Sequence, residues 1–127
     1  MTPQEVLDAN PPLYFERNLR NLVLIAADAE VEVMFSSWAY FPDPIAGRID
    51  PFVTYPHIQQ AVAEHNTIIR QLAEGLDLPY YDLMDNMPYN IDFWKDGLHM
   101  TPTGTYEQAS EYAAFLIAND LIPPPSD

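Results

Sequence analysis

The chain has 127 residues, 48% of them hydrophobic, which is enough for one domain with a modest core. Its 19 acidic and 5 basic residues give a net charge of −14, which argues against nucleic acid or anionic lipid as a partner because phosphate binding needs clustered Lys and Arg. The lack of Cys excludes disulfides, thiolate metal sites and a cysteine nucleophile.

The sequence predicts no membrane span, since no apolar run reaches the roughly 18 residues that a span requires. The polar, acidic start does not have the pattern of a signal peptide. A signal encoded farther upstream would lie outside this sequence, so the cellular compartment stays open.

The first half of the chain predicts a helix, a strand and a long loop. Apolar spacing after Pro11-Pro12 predicts a helix from Leu13 to Ala29, and alternation predicts a strand from Val31 to Ser36. A loop rich in Pro and aromatic residues follows, from Ala39 to Pro56. Loops of that length in a compact domain are often functional.

The second half predicts a helix, a strand and a final helix. The second helix spans about His57 to Glu74, and the second strand runs from Pro79 to Leu83. Thr101-Pro102 predicts the start of the final helix, with Thr as N-cap and Pro at the first helical position. Tyr106 begins a stripe of that helix that is expected to pack on the core, while Glu107 and Glu111 face outward. The expected stripes are Ile58, Ala61, Val62, Ile69, Leu72 and Leu76 in the second helix, and Tyr106, Ala109, Ala113, Leu116 and Ile117 in the final one.

The order strand, helix, strand predicts a right-handed crossover and a parallel pair, the unit of an α/β sandwich. Ligands bind at the carboxyl ends of such strands. Ser36, Ser37, Trp38 and the stretch from Asp85 to Asp96 fall at that end, so we expect Ser36, Ser37, Trp38 and Trp94 to line a substrate site. Two parallel strands are too few for a closed domain, because one strand edge would be left bare.

The stretch Trp94 to Gly104 carries the sharpest chemical signal of the chain. It places Asp96 and His99 three residues apart, just before the predicted start of the final helix. A carboxylate that holds one imidazole nitrogen fixes the tautomer and stabilises the imidazolium, which lets the other nitrogen take a proton from a hydroxyl. The pattern therefore predicts a general base, His99, oriented by Asp96.

Asp96-Gly97-Leu98-His99, with Thr101, Pro102 and Gly104 behind it, resembles the last motif block of the SGNH hydrolases, also called the GDSL esterase/lipase family. The softer similarity covers about residues 13 to 120. The resemblance implies a three-layer α/β/α, flavodoxin-like sandwich of which this chain is the C-terminal half. By this resemblance residues 1–127 form a single partial domain with two parallel strands and three helices. The resemblance also implies that Asp96 and His99 are catalytic.

Two blocks of the family are missing from the sequence. The family's nucleophile lies in a Gly-Asp-Ser block, and its oxyanion hole also uses a Gly and the Asn of a Gly-x-Asn-Asp block; neither block occurs here. The glycines are Gly47, Gly75, Gly97 and Gly104, and the serines are Ser36, Ser37, Ser110 and Ser126.

The resemblance implies a carboxyl ester hydrolase that uses no cofactor and acts on a small acyl ester or an acetylated carbohydrate. Because one edge of strand one would be bare and the inner faces of the helices partly uncovered, we expect either a homodimer or a complement with a separate N-terminal half. The alternatives are a non-catalytic binding or interaction module derived from the same fold, and a subunit completed by another chain.

Several residues also have plainer interpretations. His65 fits a partly buried, hydrogen-bonded histidine, and His57 fits a helix start. Ser36 and Ser37 could replace the nucleophile, but turn or lining serines are favoured. Five aromatic residues could wall an acyl or sugar pocket or simply cover the core: Tyr40, Phe41, Phe52, Tyr55 and Trp94.

Four aspartates lie close together in the sequence: Asp82, Asp85, Asp92 and Asp96. They lack the spacing of a calcium loop, so no metal site is predicted.

Overall fold

The computed structural model describes residues 2–43 and 55–122, with the backbone alone described at Tyr55. In chain order these residues form two helices, a strand, a long helix, a second strand, a short helix, a 3₁₀ turn and a final helix. The bounds are α1 Pro3–Ala9, α2 Leu13–Asp28, β1 Phe35–Ser36, α3 Tyr55–Leu76, β2 Tyr80–Tyr81, α4 Leu83–Asn86, the 3₁₀ turn Ile91–Phe93 and α5 Pro102–Ala118.

Helix α1 was not predicted, although its start has a clear sequence signature. The Thr2 side chain accepts a hydrogen bond from the Glu5 backbone N–H, and the Glu5 carboxylate accepts one from the Thr2 N–H, which forms a capping box. Pro3 occupies the first helical position, where its missing N–H costs nothing. The short helix packs against α3.

Helix α2 ends within one residue of the predicted boundary. Its end is fixed by Glu30, which adopts the left-handed conformation with φ 55°, and by the bond from the Val31 N–H to the Ala26 carbonyl at 2.8 Å. One side of α2 packs on the core through Phe15, Leu19 and Val23. Much of the rest is exposed apolar surface, including Leu22, Leu24 and Ile25.

The two strands pair in parallel, as predicted, but each is only two residues long. Phe35 pairs with Tyr80 and Ser36 with Tyr81. Flanking bonds run from the Phe35 N–H to the Pro79 carbonyl at 2.9 Å and from the Ser37 N–H to the Tyr81 carbonyl at 3.1 Å. Among the described residues each strand has one neighbour. The predicted strands, Val31 to Ser36 and Pro79 to Leu83, are both too long, and Leu83 begins α4 instead.

Helix α3 connects the two strands and supplies most of the core. Ile69, Leu72 and Ala73 pack with Phe35 of β1, and Val62 is buried two turns before Ile69. The predicted stripe is therefore largely confirmed, except that Leu76 is exposed. The helix begins at Tyr55 rather than at His57. Most of the loop predicted from Ala39 to Pro56, including Phe52, lies outside the described residues.

The prediction for the inner face of α5 is wrong for most of the helix, although Leu116 and Ile117 near its end are partly buried. Tyr106 is 74% exposed, and Ala109 and Ala113 are exposed as well. The inward side is instead the one with Glu111, whose carboxylate accepts a hydrogen bond from the Tyr81 hydroxyl, and Phe115, whose ring lies 4.9 Å from that of Tyr81. Because apolar residues occur on every side of α5, this hydrogen bond and the aromatic contacts decide which side packs.

The polypeptide over residues 2–43 and 55–122 includes no helix that is both long enough and apolar enough to cross a bilayer.

Candidate functional site

The loop from Trp94 to Met100 is closed by backbone bonds. Trp94 and Met100 form an antiparallel bridge, and the Lys95 N–H donates to the His99 carbonyl at 2.8 Å. The Phe41 N–H donates to the Gly97 carbonyl at 3.0 Å, which ties the tip of the loop to the segment after β1. His99 is therefore held on a constrained loop.

Asp96 is the centre of this loop. Its Oδ1 accepts hydrogen bonds from the backbone N–H groups of Leu98 at 2.8 Å and His99 at 2.7 Å. Its Oδ2 lies 2.9 Å from Nδ1 of the His99 ring, so the predicted side-chain contact is present. One carboxylate thus both shapes the turn and holds the imidazole.

The charged form of Asp96 is favoured by these contacts. Partial burial alone would raise the pKa of the carboxyl group, but the hydrogen bonds from the backbone N–H groups of His99 and Leu98, together with the His99 ring, outweigh it and hold the pKa below its ordinary value. Asp96 is therefore ionised at neutral pH and available as an acceptor.

The ring of His99 is open to solvent, with 77% of its side chain exposed against 29% for Asp96. When Nδ1 carries the proton that Asp96 accepts, Nε2 of the neutral ring has a free lone pair. That is the nitrogen that a general base uses. The arrangement suits proton transfer to or from a group bound in front of the ring.

The start of α5 fixes the far side of the loop. The Thr101 hydroxyl donates to the Asp92 carbonyl at 2.8 Å and accepts from the Gly104 N–H at 3.2 Å, which confirms Thr101 as the N-cap. Its backbone N–H donates to the Phe93 carbonyl at 2.9 Å. The helix start and the 3₁₀ turn are thereby joined two residues beyond His99.

His99 lies at an open cleft of about 590 Å³. The cleft is formed where the end of β1, the loop from Trp94 to Met100 (the motif loop) and α5 meet, at the carboxyl end of the two strands. Its lining includes Ser37, Trp38, Lys95, His99, Gln108 and Tyr112.

Both predicted serines are near the cleft, and both are engaged in structural hydrogen bonds. Ser37 is 2% exposed; its hydroxyl donates to Asp82 Oδ1 at 2.8 Å and accepts from the Met84 N–H at 2.9 Å. The Ser36 hydroxyl donates to the Ser37 carbonyl at 3.2 Å and accepts from the Tyr112 hydroxyl at 3.1 Å. These bonds connect the end of β1 with α4 and α5.

Trp38 and Trp94 have different environments. Trp38 is 68% exposed at the cleft, and its backbone is held by the Asn66 side chain, which accepts from the Trp38 N–H at 2.7 Å and donates to its carbonyl at 2.9 Å. Trp94 is 4% exposed and lines a separate cavity of about 210 Å³ with Tyr40, Phe41 and others. It supports the motif loop from inside, and the role of Asn66 was not predicted.

The other two histidines lie on α3. The Nδ1 atom of His65 is 2.6 Å from the Ala61 carbonyl, and its ring meets the edge of Phe15, as expected for a partly buried, hydrogen-bonded histidine. His57 falls in the first turn of the helix. Within residues 2–43 and 55–122, no three His, Asp or Glu side chains converge in a group that could hold a metal ion.

No family model matches the chain, and no curated protein matches it in sequence. The fold is similar to that of a GDSL-like lipase from Bacteroides thetaiotaomicron VPI-5482, with a TM-score of 0.65 and 19% sequence identity. The similarity covers 87% of this chain and 55% of the lipase. The chain therefore has a GDSL-like fold and spans little more than half the length of that protein.

Proposed function

We propose that this chain carries the histidine and aspartate of a serine ester hydrolase of the SGNH type. The observation that supports this most is the contact at 2.9 Å between Asp96 Oδ2 and Nδ1 of an exposed His99 at the edge of a cleft. The GDSL-like fold adds to it, and the pair lies on the loop before α5, the last helix among the described residues.

In this proposal His99 acts first as a base and then as an acid. Its Nε2 takes the proton of a serine hydroxyl while the serine oxygen attacks the acyl carbon, and it later returns the proton to the leaving alcohol. Asp96 holds Nδ1 and stabilises the imidazolium that forms in between. Water then releases the acyl group by the same transfers in reverse order, and no cofactor is needed.

The nucleophile comes from outside the described part of this chain. Ser37 is a poor substitute because its hydroxyl already donates to Asp82 and is buried. Ser36 is likewise held between the Ser37 carbonyl and Tyr112. A serine that brings oxyanion donors with it is required, because each missing donor alone costs about 10²–10³ in rate.

We place this missing part against β1 and α2, where it would complete the three-layer sandwich. Among the described residues β1 pairs only with β2, so its other edge is bare. Beside it, an apolar cavity of about 490 Å³ lies between Val23, Val33 and Leu116. Water can satisfy a strand edge but not such a surface, so we expect a second copy of the chain or a separate N-terminal half to cover it.

The substrate class follows from the proposed chemistry and from the open cleft. Trp38 and the side-chain amide of Gln108 suit a small acyl ester or an acetylated carbohydrate, because an aromatic face and a hydrogen-bonding group can bind both.

The test compares the chain alone with the chain produced together with the product of the adjacent upstream coding sequence. Hydrolysis of p-nitrophenyl butyrate and labelling by a fluorophosphonate are measured in both. We expect the chain alone to be inactive and unlabelled, and the combination to be active, inhibited by the fluorophosphonate and slowed at least about a thousandfold by His99→Ala.

Two variants serve as controls. Asp96→Asn should slow the combined enzyme by up to about 10⁴-fold, since the wrong imidazole tautomer is then favoured. Asp92→Asn removes a charge from an exposed position nearby and should leave the rate unchanged. Activity that survives His99→Ala would contradict the proposal, and a combination that binds esters without turning them over would favour the non-catalytic module instead.

A further inference from the structure

A second groove, distinct from the cleft but next to it, runs between α1 and α3. It has a volume of about 470 Å³ and is lined almost wholly by apolar side chains. Helix α1 contributes Val6 and Leu7, and α3 contributes Ile58, Ala61 and Val62.

The groove and the cleft share two lining residues. Trp38 and Leu98 lie between them and line both. Leu98 directly precedes His99, and Trp38 lies two residues after the end of β1. A molecule whose reacting group faces His99 can therefore extend past these two side chains into the groove.

The chemistry of the groove selects an uncharged, apolar occupant. A dry cavity of about 150 Å³ is enough for benzene, so this groove has room for a chain of about eight carbons even when half of its volume is left to solvent. The net charge of −14 repels a free fatty-acid anion, whereas a neutral ester has no such penalty.

We propose that this groove binds the acyl chain of a neutral ester of about six to ten carbons, with the ester group in the cleft at His99. The acyl identity rests on the proposed esterase function, but the binding of an alkyl chain can be tested without catalysis. Helix α1 acts as one wall of the groove, which gives a role to an element that the core of the fold does not use.

The test measures binding of 1-butanol, 1-hexanol and 1-octanol to the 127-residue chain by tryptophan fluorescence. Trp38 is exposed and Trp94 is buried, so a chain in the groove should shift the emission of Trp38 to the blue, and Trp38→Phe should remove that signal. We expect affinity to rise about threefold or more for each added methylene. Affinity that does not depend on chain length would overturn the proposal.

Two pairs of variants locate the binding. Ala61→Phe fills the groove and should weaken 1-octanol at least tenfold, while Ala63→Phe, the same change at an exposed position of α3, should not. Val6→Asp places a carboxylate at a half-exposed position of the groove and should also weaken binding, while Ala9→Asp on the outer part of α1 should not. Circular dichroism confirms folding; equal effects within either pair of folded variants would overturn the proposal.

These experiments distinguish failure of the groove proposal from failure of the proposed esterase function. If the combined protein hydrolyses esters and Ala61→Phe does not change that activity, the proposed function stands and the acyl-chain site is rejected. If alcohol binding depends on chain length but the combined protein does not hydrolyse esters, the groove stands as an alkyl-binding site and the proposed esterase function is rejected.

Discussion

Gly104 lies directly against the backbone of Phe93. A Cβ atom at position 104 would be 2.1 Å from the Phe93 carbonyl oxygen, a distance at which something must move. The same carbonyl accepts the hydrogen bond from the Thr101 N–H, so the first turn of α5 is pressed onto the 3₁₀ turn. This contact fixes the base of the loop that carries Asp96 and His99.

Replacing Gly104 by Ala should therefore destabilise the protein. We expect a loss of about 2–4 kcal/mol in the free energy of unfolding, because a rigid backbone atom has to be displaced. Gly75→Ala is the matched control: no atom lies within 4 Å of its added Cβ, and Ala in a helix should stabilise by about 0.5–1 kcal/mol. Urea unfolding measures both, and similar values for the two variants would contradict the proposed contact.

Asp96→Asn should reveal a pH-dependent contribution to stability. The folded-state pKa of Asp96 is depressed, so its charge stabilises the fold at pH values above the ordinary pKa, about 4, and this stabilisation is lost as the pH falls through the folded value. Wild type should be more stable than Asp96→Asn at pH 6, and the difference should shrink on acidification below about pH 4. Unfolding curves at several pH values test this, with Asp92→Asn as control; a difference that grows at low pH would have the wrong sign.

Ser37 should behave as a structural residue. Ser37→Ala removes a buried hydroxyl and leaves Asp82 and the Met84 N–H without this partner, which should cost about 1–3 kcal/mol. Ser110→Ala, at an exposed position of α5, should change stability by less than about 0.5 kcal/mol. Thermal unfolding compares the two. A Ser37→Ala protein as stable as wild type, together with fluorophosphonate labelling at Ser37, would instead identify it as a nucleophile.

Self-association should depend on salt. The charge of −14 opposes pairing of two copies, and the Debye length falls from about 30 Å at 0.01 M to about 8 Å at 0.15 M salt. We expect sedimentation to show more dimer at the higher salt concentration. Ile25→Gln, in the exposed apolar surface of α2, should weaken it, and Ile91→Gln, an exposed apolar position in the 3₁₀ turn, should not. A monomer under both conditions would leave the separate N-terminal half as the proposed partner.

The helices were the most predictable part of the fold. The apolar spacing of α2 and α3 is regular, and breakers or caps mark their ends, so local pattern and packing agree. The capping box of Thr2 and Glu5 is a local signal that the sequence itself contains. The inner face of α5 could not be read in the same way, because the partner of Glu111 is Tyr81, 30 residues away.

The strands and the cleft show a different limit of sequence patterns. Strand length depends on the neighbouring strand, and β1 and β2 pair over two residues although alternation continues upstream. The contact of Asp96 with His99 was predictable because it is local. The burial of Trp94 and the clamp of Asn66 on Trp38 depend on distant parts of the chain, which a motif does not specify.

The tautomer of His99 tests the central claim most directly, namely that Asp96 prepares this ring as a general base. Nitrogen-15 NMR of the ring at a pH where it is neutral should show the proton on Nδ1 in wild type, with Nε2 unprotonated. Asp96→Asn should shift the population toward the Nε2–H form, and Asp92→Asn should not. An Nε2–H ring in wild type, unchanged by Asp96→Asn, would contradict the account.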